Sequence, residues 1–562
     1  VHGNNIYDKL SAIFSKEMLN LTKIAYVQME VVSGQPALNA AKILSFLEQA
    51  KQQKVELVVF PEMVLSGKLV GDAVKEKSFL RDCKNFGKQI AEVSGDMIVI
   101  FGNVDSQGQS KYFIAHENKI ATTGKVEDVI PMNCQGDDGK EYFIAFKIAA
   151  EHFKVAGQVE RDEIFSAKAR ELKSSLIYVN AVGIQNTGKT VYVFDGASTI
   201  YNSKGEVIQR AVSYKEGLHI LELETLDAQP AIQNPKAEEV AEIYQALHFG
   251  VERFLKQIGM KKVVIGVSGG IDSAVASALY TKILGAENVY LVNMPSVFNS
   301  VTTRGLSEQL AKNLGCKYLI VPIQESVDYT VRQLEGEGVK ISSFVKENIQ
   351  ARDRSSRILA AVAAAIGGGF TCNANKAEST VGYATLYGDA AGFLSALADL
   401  WKFQVYALAN YLNKKIYKRE TIPQGIIDIV PSAELSTAQN VDEGKGDPLK
   451  YQYHDYLFRA LVEKSLTPED ILQLYAEGNL EVEIGCEVGL VEKYFPTAKD
   501  FIEDLERWWR LFKGMAVAKR IQAPPIISIS SRAYGSFAES QNIPYFTQEY
   551  KVLKKKILTE KA

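Results

Sequence analysis

Several things are missing from this 562-residue sequence, and each absence excludes something. It has five cysteines, Cys83, Cys134, Cys316, Cys372 and Cys486, and no two form a CxxC pair. Zinc ribbons and dithiol redox sites are therefore excluded, and an odd, scattered set reads as reduced thiols in a cytoplasmic protein. No apolar run is long enough to span a bilayer; the longest lies near 358–370. The opening stretch VHGNNIYDKLSAIFSKEMLN has charges throughout and no apolar centre. It reads as an extension or a first short helix rather than a secretory leader. No charge of one sign dominates: the formal net charge is −3, so no electrostatic footprint for nucleic acid is expected. Internal repeats and low-complexity tracts are also lacking. What is left is a mixed composition, 46% apolar and 23% charged. At this length it implies two to four domains and an enzyme or binding module for small molecules.

The pattern from Thr22 onward alternates strand and helix. KIAYVQMEVV, VELVVFPE, MIVIFGNV and SLIYVNAVG read as strands, and NAAKILSFLEQAKQQ reads as a helix. NSKG marks a hairpin within TVYVFDGASTIYNSKGEVI. DAQPAIQNPKA, 227–237, is polar and carries two prolines, which makes it the best linker in the chain. The expected division is 1–226, linker 227–237, and 238–562. In the second part the strands KVVIGV, NVYLVNMP and KYLIVPI alternate with helices, so an α/β fold with a doubly wound parallel sheet is expected. The basic end, KKKILTEKA, reads as a solvated tail.

One stretch carries chemistry. Val263–Val267 predicts a buried strand, SGGIDS follows at Ser268–Ser273, and a helix is expected over Ala274–Leu284. Ligands bind at the carboxyl edge of open α/β sheets. Adjacent glycines let backbone N–H groups approach an anion, and a helix N-terminus adds partial positive charge. Asp272 beside phosphates needs a divalent cation between them, which points to Mg²⁺. The GK[ST] ending of a Walker A loop is missing. A cradle without lysine suits the pyrophosphate that leaves when ATP donates AMP. The bland alternative is a glycine turn with an aspartate helix cap.

SGGIDS resembles the SGGxDS signature of the PP-loop ATP pyrophosphatases. MPSVFNSVTT, ENIQARDRSSRILA, NKAESTVGYATLYGDAAG, VPSAELS and AKRIQAPP follow in that order. The ordered set resembles NAD synthetases of the glutamine-dependent, two-domain type. That resemblance implies adenylation of deamido-NAD by ATP, release of pyrophosphate, and displacement of AMP by ammonia. It implies that Gly266, Val267, Ser268, Gly269, Gly270, Ile271, Asp272 and Ser273 bind ATP, together with Asn373, Lys402 and Ser432. Asp272 and Glu378 would be catalytic and neighbour the metal. Asn348, Arg352, Glu378, Asp389 and Lys519 would hold deamido-NAD. The family has Thr at the position of Asn373; Thr371 could serve instead only with a shifted strand register. A homo-oligomer, dimer or larger, is implied as well.

The first half resembles the nitrilase and amidase superfamily, with Glu62 of VVFPE at the general-base position. In the resembling synthetases a Glu–Lys–Cys triad hydrolyses glutamine. Here Ala150 stands where the cysteine belongs, and Glu127 where the lysine belongs, with Lys125 nearby. Cys134 is expected in a polar turn as a surface or loop thiol, with a displaced nucleophile as the alternative; Cys83 is expected to be structural. The implied reading is a reduced nitrilase-like sandwich with a vestigial site and a synthetase fed by free ammonia. Glutamine dependence through a displaced nucleophile, another PP-loop amidating enzyme and a non-catalytic pseudoenzyme are the alternatives.

Overall fold

The computed structural model describes residues 19–123, 129–232 and 238–560. The leading extension, the 233–237 part of the linker, and Lys125 and Glu127 lie outside the described residues. Contacts divide the chain into two compact units that meet in sequence at Glu239 and Val240. Among the described residues no helix is long and apolar enough to cross a membrane.

Two six-stranded sheets form the first unit. One runs in the order Leu19–Asn20, Ile130–Gln135, Glu141–Ala149, Ser175–Asn180, Thr199–Tyr201, Val207–Arg210. The other runs Gly217–Glu222, Lys23–Gln28, Leu57–Val59, Ile98–Val104, Ser110–His116, Lys119–Thr123. Alternate side chains explain the packing. Ile24, Tyr26, Leu57 and Val59 face Ile144, Phe146, Ile177 and Val179 across the sandwich. The intervening Ala25, Val27 and Val58 pack beneath the helices Pro36–Gln52 and Lys77–Ser94. On the far side Ala145, Leu176 and Tyr178 lie against Phe165 and Ala169 of the helix Gly157–Leu172. Both faces of the central strands are covered, which is why they read as unbroken apolar runs. The NSKG hairpin forms as expected, joining the antiparallel strands Thr199–Tyr201 and Val207–Arg210.

Cys134 departs from its expected place. It sits within the strand Ile130–Gln135, fully buried in the sandwich core, and burial pushes its thiol up to about 12. The alternation of that strand, not the flanking polar residues, decides where the side chain points. Cys83 is buried in its helix, as expected.

The second unit is built on a four-stranded, all-parallel sheet in the order Lys317–Ile320, Val289–Asn293, Val263–Gly266, Gly369–Phe370. Strand order reverses beside Val263–Gly266, the first strand in sequence, and such a reversal opens a crevice at the carboxyl ends. The helix after the phosphate loop begins at Ile271, not Ala274. Asp272 and Ser273 therefore belong to its first turn, where an acidic group is favourable to the helix dipole.

A helical body carrying Trp401, Tyr453, Phe458 and Trp508 in its core completes this unit. The basic end is not a loose tail. It forms the helix Gln548–Glu560, which buries Tyr550 and Ile557, while Lys554 pairs with Glu506 at 2.5 Å. Its lysines face outward from an amphipathic helix whose few apolar residues are enough to dock it. Truncating Tyr550 to Ala removes a fully buried ring and should cost roughly 3 kcal/mol in urea unfolding. Lys555→Ala, on the exposed face, should leave the midpoint within about 0.5 kcal/mol of the parent.

Candidate active site

A cavity of about 250 Å³ opens at the carboxyl edge of the parallel sheet. The strand Val263–Gly266 delivers the loop 266–270 to its floor, and the helix Ile271–Leu284 points its N-terminus there. The loop is closed by its own hydroxyls. Ser268 Oγ accepts from Gly270 N–H at 3.2 Å, and Ser273 Oγ donates to Gly270 O at 3.0 Å. Gly269 has φ +88°, and a Cβ there would lie 2.3 Å from the Thr303 carbonyl oxygen. Both the conformation and the close approach require glycine.

Glu378 is held by a capping box. Asn375 Oδ1 accepts from Glu378 N–H at 3.1 Å, and Glu378 Oε2 accepts from Asn375 N–H at 3.2 Å. This arrangement satisfies two backbone donors at the start of the helix Lys376–Val381. It leaves Glu378 Oε1 free to face the cavity, where Tyr451 Oη donates to it at 3.3 Å. Asn375 also donates to Asp272 Oδ1 at 3.2 Å.

Between the two acids lies Lys402, 3% exposed at the start of the helix Lys402–Tyr411. Its ammonium donates to Asp272 Oδ2 and lies 3.7 Å from Glu378 Oε1. It also sits 4.9 Å from the centre of the Tyr451 ring. Burial alone would lower the lysine pKa; the two carboxylates outweigh it and hold the ammonium charged, above its ordinary range. For Glu378, burial and the neighbouring Asp272 charge push the carboxyl upward, against the pull of Lys402.

The structure brings most of the expected ATP set together. The stretch 266–273, Asn373, Lys402 and Ser432 all line the cavity, as do Glu378 and Asp389. Asn373 Nδ2 donates to Gly266 O at 3.4 Å, while its Oδ1 accepts from the Thr371 hydroxyl at 2.8 Å. Thr371 and Asn373 thus reach the cavity as a hydrogen-bonded pair. Three expected residues lie off it. Asn348 donates to Phe344 O within its own helix. Exposed Arg352 donates to Leu386 O at 3.1 Å. Lys519 is spent on the carbonyls of Gly382 and Ala384, beside a smaller cavity of about 30 Å³.

Other lining residues were not singled out by the sequence. Arg354 lies in a π-helical turn, Asp353–Leu359, and donates to Met294 O and Asn299 Oδ1. Such wide turns recur at functional sites, but nothing in the spacing announces one. Asp447 accepts from Ala433 N–H and Tyr383 Oη, and shares the one Tyr451 hydroxyl proton with Glu378, each at 3.3 Å. It follows a polar loop without a motif.

In the first unit Glu62 occupies a turn at the carboxyl end of Leu57–Val59. Its Oε2 accepts from Ala150 N–H at 3.1 Å and pairs with Lys68 at 3.3 Å, and Lys68 also donates to Ala150 O at 3.0 Å. Ala150 therefore stands directly beside the acid, with a methyl group where a nucleophile would be needed.

A glycine-rich loop at a sheet switch point, an acid in the first helical turn and a buried lysine between two carboxylates form a crevice suited to an anionic ligand, the arrangement expected of a PP-loop protein. Comparison with known proteins narrows the class. Residues 243–484 match the NAD synthase family and residues 23–93 the carbon-nitrogen hydrolase family. The chain is 29% identical to a glutamine-dependent NAD(+) synthetase of Synechocystis, over 91% of this chain and 97% of that one. It is 27% identical to one from Xylella fastidiosa, over 92% and 98%. Its fold matches that of a glutamine-dependent NAD(+) synthetase from Cytophaga hutchinsonii with a TM-score of 0.73, at 16% identity over 96% and 100% of the two chains. The chain joins a nitrilase-like domain to an NAD synthase domain, is similar over most of its length to the two-domain, glutamine-dependent NAD(+) synthetases, and is a carbon–nitrogen ligase.

Two outcomes test this geometry. Gly269→Ala should weaken ATP binding at least tenfold by calorimetry, because the new methyl drives the loop off Thr303 at a strain of roughly 1–3 kcal/mol. Alkylation of the native protein should leave Cys134 unmodified until denaturant is added.

Proposed function

We propose that this chain amidates deamido-NAD to NAD with ATP, and that free ammonia rather than glutamine supplies the nitrogen. The observation that carries the ligase reading is the cluster Asp272–Lys402–Glu378 at the mouth of the phosphate loop. ATP would lay its β- and γ-phosphates along the N–H groups of 268–271, the Ser268 and Gly270 amides exchanging their present hydroxyl partners for phosphate, with the helix dipole and Lys402 offsetting their charge. Asn373 adds an uncharged donor along the same wall, and Ser432 adds one once its hydroxyl leaves Gln439 O.

Asp272 and Glu378 are the residues that would hold Mg²⁺. Two carboxylates from separate elements fit an ion that takes one or two protein acids and fills the rest of its shell with water and phosphate oxygens, once the Lys402 ammonium that lies between them has moved onto phosphate. When bound, it would neutralise charge on the leaving pyrophosphate.

The nicotinate carboxylate of deamido-NAD attacks the α-phosphorus, forming an acyl–adenylate and releasing pyrophosphate. Ammonia then attacks the acyl carbon, the C–O bond to AMP breaks, and one proton leaves with the product side. The protein's part is to align two dinucleotide-sized substrates in a site shielded from water. Asp389, expected at the deamido-NAD site, lines the cavity. Asn348, Arg352 and Lys519 would complete that site only by leaving their present partners.

What supports ammonia is the state of the first unit. Ala150 has no nucleophile, Glu62 is engaged by Lys68 and the Ala150 amide, and Cys134 is locked in the core. The relatives' names state glutamine dependence for those proteins; Ala150 is the reason for reading this chain differently. A cytoplasmic enzyme acting as a homo-oligomer goes with the reading.

NAD formation should be measured side by side with an ammonium salt and with glutamine. Turnover is expected with ammonium, and with glutamine at least a hundredfold less. Equal or better turnover on glutamine overturns the ammonia reading, and no NAD from either source overturns the ligase reading.

A further inference from the structure

Two walls of the ATP cavity are fastened to the same helix end. On one side, Gly269 of the phosphate loop rests against the backbone of Thr303. On the other, Glu434 of the segment Pro431–Leu435 reaches the same turn. Its Oε1 accepts from Ser300 N–H at 3.1 Å, and its Oε2 accepts from the Thr303 hydroxyl at 2.7 Å and from Asn299 Nδ2 at 3.3 Å. Ser300 is the N-cap of the helix Val301–Leu314, and its Oγ accepts from Thr303 N–H.

Glu434 is 2% exposed and has φ +47°. A non-glycine residue in that region is strained, and the strain persists only where surrounding contacts over-determine it. Here they also orient a neighbour: Glu434 N–H donates to Ser432 Oγ at 3.2 Å, and Ser432 Oγ donates to Gln439 O at 2.6 Å. Buried Gln350 fixes the end of the segment by donating to Leu435 O. Asn299 links the cluster onward to Arg354. A carboxylate on the wall of a polyphosphate cavity would repel its ligand. This one is turned into amide and hydroxyl donors that absorb its charge.

We propose that Glu434 is a positioning residue for ATP: it sets the Ser432 wall at a fixed distance from the phosphate loop by docking both on the turn Ser300–Thr303. The catalytic consequence rests on the NAD synthetase reading; the effect on nucleotide binding does not.

The test compares the parent with Glu434→Gln, Glu434→Asp and Thr303→Val, measuring ATP binding by calorimetry with Mg²⁺ and steady-state kinetics with ammonium. Glu434→Gln should weaken ATP binding and raise the ATP KM about tenfold. The KM for deamido-NAD should stay within a factor of two and kcat within a factor of three. Glu434→Asp keeps the charge and should recover part of the loss. Thr303→Val removes one tie and should cost three- to fivefold, and it carries the test if Glu434→Gln does not fold. A purely structural role would lower the active fraction and thermal midpoint while leaving the ATP KM in place. That result, or parental ATP affinity in whichever of Glu434→Gln and Thr303→Val fold, overturns the proposal. A parent that binds ATP but makes no NAD overturns the ligase reading alone, and the binding comparison still decides this one.

Discussion

The second unit depends on one buried ammonium. Lys402 has no bulk solvent to stabilise its charge, so Asp272 and Glu378 must. Each of these side chains comes from a different helix start, and Tyr451 from a fourth helix lies across them. Removing one partner of a buried pair leaves an uncompensated charge and costs roughly 3–5 kcal/mol, more than the pair itself contributes. The cluster therefore fixes the mutual placement of four helices. The same charges are the ones a polyphosphate and its cation would meet.

Behind this cluster lies a second buried ionic group that does not touch the cavity. Lys376, two residues before Glu378, pairs at 2.9 Å with both Asp399 and Glu463, and Trp401 Nε1 donates to Glu463. It ties the helix carrying Glu378 to the residue preceding Lys402. The position of the site's acid and base is thus set twice, once by their mutual attraction and once from below.

The first unit shows a different polar arrangement. Glu62 Oε2 is engaged by a backbone amide and by Lys68. Gly102 still lets its strand pass close beneath: a Cβ there would lie 2.4 Å from Met63 N. The turn that presents the acid is kept by packing even though its neighbour at 150 is a methyl group.

Much of this protein could be read directly. The strand–loop–helix run at 263–284 depends on local signals, an apolar run, adjacent glycines and a helix, so its fold and its anion-binding edge were legible. The capping box Asn375–Glu378 is likewise local, though its double duty at the cavity was not. Cys134 misled because its polar neighbours suggest a turn, whereas pairing with Glu141–Ala149 makes it a strand residue pointing inward. The C-terminal lysines misled because their count hid two apolar residues at helical spacing. Arg354, Glu434, Asp447 and Tyr451 were illegible: each has a partner tens of residues away that sets its place at the cavity, and no spacing encodes that. The sequence by itself determined the elements, the parallel sheet and the phosphate loop, since these follow from hydrogen bonding and side-chain periodicity along the chain. Only the tertiary structure decided which charges face one another, because a buried charge is defined by its neighbours in space.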